Sequence, residues 1–310
     1  MTYRFVALAF VCLAAAACNR PAEQPAQEAP APAPAPAAPV PLTAGWTVTD
    51  GIAAPESVYV DTESGFIFSS QIDGAPDAKD GNGRIVKLGG DGKVIAANWV
   101  TGLNAPKGLR SCQGTLWVAD LGEVVAIETA SGRISSRVAL PNAQFPNDVA
   151  CGPDGTVYVS DMIGNRIYAV QNGTATVFAE GEQLEWPNGL LVENGRLIVG
   201  GWGRPEADFT TKVPGRLFAL DLKTKAKTPI TPKPFANIDG VELDGRGGYV
   251  VTDYLAGKVM QVSAAGEVRE LRKYMPGTAD HAFVPAGNVL VVPHMNENKV
   301  ASYDVSDALK

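Results

Sequence analysis

Residues 55–303 run through one pattern six times. A turn-like dipeptide leading into a short apolar strand recurs at Pro55-Glu56, Pro106-Lys107, Pro146-Asn147, Pro187-Asn188, Ile238-Asp239 and Asp280-His281, at spacings of 51, 40, 41, 51 and 42 residues. Each is followed by a glycine-led turn and a second strand, as in Gly155-Thr156-Val157-Tyr158-Val159, and then by a third strand, as in residues 166–170. Glycine supplies the positive φ that tight turns need. A period near 40 with four short strands per unit predicts propeller blades, so six units predict an all-β, six-bladed β-propeller. The strands are almost continuously apolar, as expected of blades covered by a neighbour on both faces; a half-exposed sheet would alternate.

Blades one to five each carry a fourth segment, whereas the sixth ends near Tyr303 with a short polar tail. The missing strand is predicted to come from residues 46–50 at the start of the domain. Joining the first segment to the last blade closes the ring and hides an edge that could pair with other chains. The propeller is thereby assigned to residues 45–310, a length that closed all-β folds routinely use as one domain.

Ahead of it, Arg4, an apolar run over residues 5–17 and Cys18 read as an export signal over residues 1–18. The run is shorter than the roughly 20 residues needed to span a bilayer. The small residues before Cys18 resemble a bacterial lipobox, with Ala15 where leucine is usual. Lipidation at Cys18 is expected, with cleavage to a soluble periplasmic protein as the alternative. Residues 19–44 hold eight prolines and almost no large apolar side chain. At about 3.1 Å per residue this stiff linker would reach roughly 80 Å. A periplasmic or cell-envelope monomer follows, an outer-membrane lipoprotein that meets the membrane only through its lipid anchor. The net charge of −7 and the lack of any Lys/Arg run exclude nucleic acid as a partner. Cys112 and Cys151 remain in the folded part, where an oxidising compartment permits pairing. They end inner strands of neighbouring repeats, and two buried free thiols are expected.

In a propeller the first strand of each blade lies nearest the axis. Glu56, Lys107, Asn147, Asn188, Asp239 and His281 should therefore converge at one end of the channel. Packing alone does not call for two carboxylates and two carboxamides there, and burying charge without a partner is costly. Two carboxylates and two amide carbonyls, completed by water, form an all-oxygen set suited to Ca²⁺ or another hard divalent cation. Zinc is disfavoured by a chain with two histidines, no paired-cysteine spacing and no His-Glu-x-x-His helix.

This order of residues resembles the senescence-marker-protein/gluconolactonase family of regucalcin-like propellers, which is related to the paraoxonase and diisopropyl-fluorophosphatase propellers. The matching stretches are Ala-Pro-Glu-Ser around Glu56, Phe-Pro-Asn-Asp around Asn147, Trp-Pro-Asn-Gly around Asn188 and Ile-Asp-Gly around Asp239. The resemblance implies that Glu56, Asn147, Asn188 and Asp239 hold the metal and that Asp239 is catalytic. A small-molecule lactone or ester would be hydrolysed. It also implies a second, structural calcium near His281 with Glu242 as companion; the alternative is a hydrogen-bonded channel histidine. Three features depart from the family. Phe145 stands where a substrate-binding arginine is usual, Lys107 enters the blade-two position, and residues 157–167 look like NHL-type repeats. These keep open a non-catalytic platform that binds a ligand or an envelope protein. Lys107 is expected to pair with Glu56 or Asp239.

The two long spacings arise from expanded loops over residues 71–83 and 201–215, in blades one and four, which lie opposite each other in a six-fold ring. They could roof the site, making Trp202, Arg204 and Phe209 candidates for substrate selection; plain surface excursions are the alternative. Asp120, Asp161 and Asp253 are expected to cap turns through backbone N–H groups. His294 is expected at the surface. No Gly-x-Ser-x-Gly motif suggests a serine nucleophile.

Overall fold

The computed structural model describes Met1, Thr2 and residues 41–309. The apolar run, Cys18 and residues 19–40 of the linker lie outside the described residues. From Thr47 onward the chain forms six four-stranded antiparallel sheets. Their inner strands are Pro55–Asp61, Leu109–Cys112, Pro146–Cys151, Pro187–Glu193, Ile238–Leu243 and Ala282–Val284. Each packs against the inner strands of both neighbours, the sixth against the first, so the ring is closed. Among the described residues the only helical pieces are two single 3₁₀ turns, Glu182–Leu184 and Met295–Glu297.

The core lies between blades, which explains the unbroken apolar runs. Ile198 and Leu217 of blade four pack against Ile238, Val251 and Val262 of blade five. In the blade-one strand Phe66–Gln71 every residue is buried, because one face meets blade six and the other blade two. Burying one such large apolar side chain stabilises by roughly 1.5–3 kcal/mol.

The predicted closure is present. Thr47 and Val48 pair with Ala301 and Val300 on the outer strand of blade six. Trp46 anchors the join through its indole N–H, which donates to the Gly90 carbonyl at 3.1 Å. Docking starts slightly ahead of residue 45, since Leu42 packs between blades six and one and the Thr43 N–H donates to Gly90 at 3.0 Å.

At the axis the inner strands come close enough to bond across blades. The Gly108 N–H donates to the Asn147 carbonyl at 2.8 Å, and Asp280 and Glu56 are joined by an N–H···O bond of 3.1 Å. The residue after three of the anchors, Gly108, Gly189 and Gly240, has no room for a Cβ; at Gly240 that atom would lie 2.6 Å from His281 Nδ1. This crowding holds the anchor side chains in fixed directions. Asp120 and Asp161 cap as expected and also brace the anchors. Asp120 accepts from the Ala105 N–H at 2.8 Å and Asp161 from the Phe145 N–H at 2.7 Å, each two residues before an anchor. Asp253 accepts from the Ala256 N–H at 3.0 Å.

Two expectations are corrected by the fold. Cys112 and Cys151 are not free thiols: they form a disulfide between the inner strands of blades two and three, with Cα atoms 6.2 Å apart. Those strands lie side by side at the axis, which keeps their ends within the 4.4–6.8 Å that a bridge spans. His294 is not at the surface. It ends the second strand of blade six, buried edge-on against Tyr274, with Nε2 2.9 Å from the Tyr303 hydroxyl. Burial lowers its pKa to about 4.

Candidate functional site

Five of the six anchors line one cavity of about 210 Å³: Glu56, Lys107, Asn147, Asn188 and Asp239. The Asn188 amide donates to Asp239 Oδ1 at 2.9 Å. That orientation leaves Asn188 Oδ1 buried without a partner, as is Glu56 Oε2. Burial pushes the Glu56 carboxyl well above the usual carboxylate range and Asp239 adds to the rise, while Lys107 opposes it. Asp239 is likewise raised, by burial first and by Asp280 second.

Two buried carboxylates, two carboxamides and unpartnered acceptor oxygens form a set that a hard cation would satisfy, offsetting a desolvation cost that water-filled space does not. Among the described residues no group of three or more His, Cys, Asp or Glu is gathered for a metal. Half of the donors here are amide oxygens. Calcium accepts such donors and zinc sites rarely use them.

Lys107 does not pair with a carboxylate, contrary to expectation. Its Nζ donates to the carbonyls of Ala105 (2.9 Å) and Pro76 (3.1 Å) and lies 4.5 Å from the centre of the Phe145 ring. The loop after the second strand of blade one brings Pro76 over the amine, and these carbonyls take the donors a carboxylate would have used. Burial lowers its pKa to about 8, with Glu56 opposing the fall.

His281 does not line the cavity, and the expected partners are missing. Both its ring nitrogens are buried without a hydrogen bond, and burial, helped by Arg110, lowers its pKa to about 3. Glu242 is not its companion; it pairs with Arg110 at 2.8 Å. Deeper in the channel Asp280 accepts from Ser57 Oγ at 2.5 Å. Asp148 accepts from the N–H groups of Leu190 and Val149, each at 2.6 Å. Burial pushes Asp148 up to about 7 against the pull of Arg110. Sequence reasoning missed Arg110, Asp148 and Asp280. The available signal was a charged residue on or beside an otherwise apolar inner strand.

The cavity wall comes from a second ring. The residue directly after the second strand of each blade is Ile72, Leu121, Met162, Trp202, Tyr254 or Met295. All but Leu121 line the cavity. Both long loops contribute, Pro76 from blade one and Phe209 from blade four. Phe209 stacks at a tilt on Phe145, with ring centroids 5.3 Å apart, and its carbonyl accepts the Trp202 indole N–H at 3.0 Å. Trp202 and Phe209 thus sit where expected, and Arg204 does not. The chain turns away at Gly203, φ +89°, and Arg204 is exposed over the Trp186 ring in a separate cleft of about 750 Å³.

No family profile matches the chain, and no curated protein is similar to it in sequence. Solved structures do resemble it. A catalytically inactive virginiamycin B lyase variant from Staphylococcus aureus, determined with quinupristin, superposes with a TM-score of 0.55 at 15% identity, covering 83% of this chain and 97% of that one. A streptogramin B lyase gives 0.56 at 14% identity over 83% of this chain and 95% of that one. A chain of a nidogen/laminin complex gives 0.59 at 13% identity over 74% of this chain and 89% of that one. At such identities the likeness speaks for the six-bladed fold alone.

Proposed function

We propose that this is an exported, metal-dependent hydrolase that opens a lactone or ester bond, with Glu56, Asn147, Asn188 and Asp239 holding a calcium ion at the channel mouth. The observation that carries this reading is that four oxygen-bearing side chains from four blades share one cavity, with Glu56 Oε2 and Asn188 Oδ1 buried and unpartnered. It accords with the resemblance of these positions to the gluconolactonase family. A bound dication would supply Lewis-acid polarisation of the substrate carbonyl. The protein's own groups do the rest. Asp239 takes the proton of the water that adds to the acyl carbon; the acyl C–O bond breaks, and the departing alkoxide receives that proton. Asn188 keeps Asp239 oriented through its 2.9 Å hydrogen bond. Phe145 and Phe209 exclude bulk water from the mouth.

Export is part of the same proposal. The Cys112–Cys151 disulfide suits an oxidising compartment, and lipidation at Cys18 with the proline-rich linker would hold the propeller off the outer membrane. Mass analysis of the mature N-terminus tests the anchor. Calcium calorimetry combined with a lactone and aryl-ester panel on wild type and Asp239→Ala tests the enzyme. Calcium-dependent turnover lost in the variant supports the hydrolase. Tight calcium binding with no turnover across the panel favours a binding platform instead.

A further inference from the structure

We infer that the cavity selects a small lactone or ester with an apolar aliphatic or aryl body, held at a single oxygen function by the third N–H of Lys107, and rejects polyhydroxylated lactones. The bond broken rests on the hydrolase reading above; what is bound rests only on its cation, which takes the anchor oxygens.

The argument is an account of donors and acceptors. Above the four oxygen-bearing anchors the wall is built from Phe145, Met162, Trp202, Phe209, Tyr254 and Leu255, which form one apolar cluster. Polar groups are few in that upper wall, and its donors are already engaged. The Trp202 indole N–H is taken by the Phe209 carbonyl, and the Tyr254 hydroxyl faces Met295 Sδ at 3.3 Å. Asp208, at the exposed rim, accepts on Oδ1 from its own loop at the Thr210 N–H (3.1 Å) and hydroxyl (2.6 Å), which leaves Oδ2 as the one acceptor at the rim. With the anchor oxygens taken by the cation, a sugar lactone entering here would strip water from several hydroxyls and find fewer partners than it has hydroxyls, and each one left unpaired weakens binding. Each methylene buried in its place adds to binding by leaving water. The volume, about 210 Å³, is below the roughly 300–1,000 Å³ usual for ligand pockets, which sets the substrate as small.

Lys107 is the exception in the wall. An ammonium has three donors; the carbonyls of Ala105 and Pro76 take two, and no carboxylate pairs with it among the described residues. The amine is buried, packed over Phe145 and part of the cavity lining. Its remaining N–H has no hydrogen-bond acceptor among the described residues and only the Phe145 ring face beside it, so a ligand oxygen entering the cavity would be the stronger partner. The same contact strengthens as the carbonyl oxygen gains negative charge, so it serves binding and ring opening alike.

Lactams test this without requiring turnover. Calcium-loaded wild type, Lys107→Met and Phe145→Arg are titrated calorimetrically with an alkyl-substituted δ-lactam and with a polyhydroxylated δ-lactam, after circular dichroism confirms the fold of each variant. Wild type is expected to bind the alkyl lactam at least tenfold tighter. Lys107→Met should weaken that binding at least tenfold, and Phe145→Arg should shrink or reverse the preference. Equal or tighter binding of the hydroxylated lactam, no binding of either, or an unchanged affinity in a folded Lys107→Met protein would overturn the inference. If Lys107→Met does not fold, the wild-type preference and its response to Phe145→Arg decide. The corresponding lactones separate the two readings. Alkyl-lactam binding without lactone turnover sinks the hydrolase and leaves the selectivity standing, whereas turnover favouring the sugar lactone does the reverse.

Discussion

Replacing Glu56 with glutamine should change stability in opposite directions with and without calcium. In the calcium-free protein the Glu56 carboxyl is buried beside Asp239, and both groups are raised above their ordinary range. An unfolded glutamate titrates near pH 4.3. The folded protein thus binds more protons than the unfolded chain above that point, and its stability falls as pH rises from about 4 through the raised folded value. Each unit of separation is worth about 1.4 kcal/mol. Glu56→Gln removes that term, so near pH 8 the calcium-free variant should melt above wild type and lose less stability as pH rises. With the proposed calcium bound, the order should reverse. At a free concentration one hundred times its Kd, an ion bound only by the folded state adds about 2.7 kcal/mol, or about 5 °C for a domain of this size. Losing one of two carboxylate ligands should weaken Kd at least tenfold, leaving at most about 1.4 kcal/mol, or roughly 3 °C, at the same calcium. Melting curves from about pH 5 to 9, with chelator and across a calcium series, read both arms. A variant less stable than wild type in chelator that keeps the full calcium shift would refute the assignment of Glu56 as an uncompensated buried carboxyl awaiting a cation.

Two further expectations follow from the fold. The Cys112–Cys151 bridge closes a loop across a separation of 39 residues, for which chain entropy gives about 4 kcal/mol. The double serine variant should therefore melt about 8 °C lower, and alkylation of the unreduced native protein should label neither cysteine; ready labelling would disprove the bridge. Removing residues 46–50 takes away the strand paired with Ala301 and Val300 together with Trp46, so it should lower the melting temperature and promote self-association through the freed edge. Light scattering and an unchanged melting temperature would together count against the closure.

The ring was legible because every blade must bury both faces. Only a run such as residues 66–68 or 197–199 satisfies that demand, and six of them at a regular period leave few other solutions. The closing strand was legible from a deficit, a sixth unit one segment short. Equivalence between blades then carried Glu56, Asn147, Asn188 and Asp239 to one place. Partner choice at short range was harder to read. Lys107 lies near two carboxylates, yet backbone carbonyls of Ala105 and Pro76 hold its amine, and no pattern in the sequence announces where a loop carbonyl will stand. The disulfide is illegible for a related reason: spacing in sequence does not report how closely two inner strands run side by side at the axis.

The second ring shows where legibility could have gone further. Ile72, Leu121, Met162, Trp202, Tyr254 and Met295 each follow the end of a second strand, so blade equivalence that groups the anchors groups these as well. Of these the sequence singles out only Trp202, through its long loop; the other five read as core, because apolar residues in a propeller ordinarily are and nothing in their chemistry separates a wall from a filling. Geometry separates them. The strand before each ends level with the anchors, so the next side chain packs against its counterparts from neighbouring blades at the mouth, and all but Leu121 reach the cavity. It follows that the repeat positions the oxygen ring and most of the wall in one operation, while selectivity is left to the parts that break the repeat. Those parts are the long loops bearing Pro76 and Phe209, with Lys107 placed where other blades carry an acceptor. A relative with the same four anchors and different loops should therefore keep the cation and change the substrate.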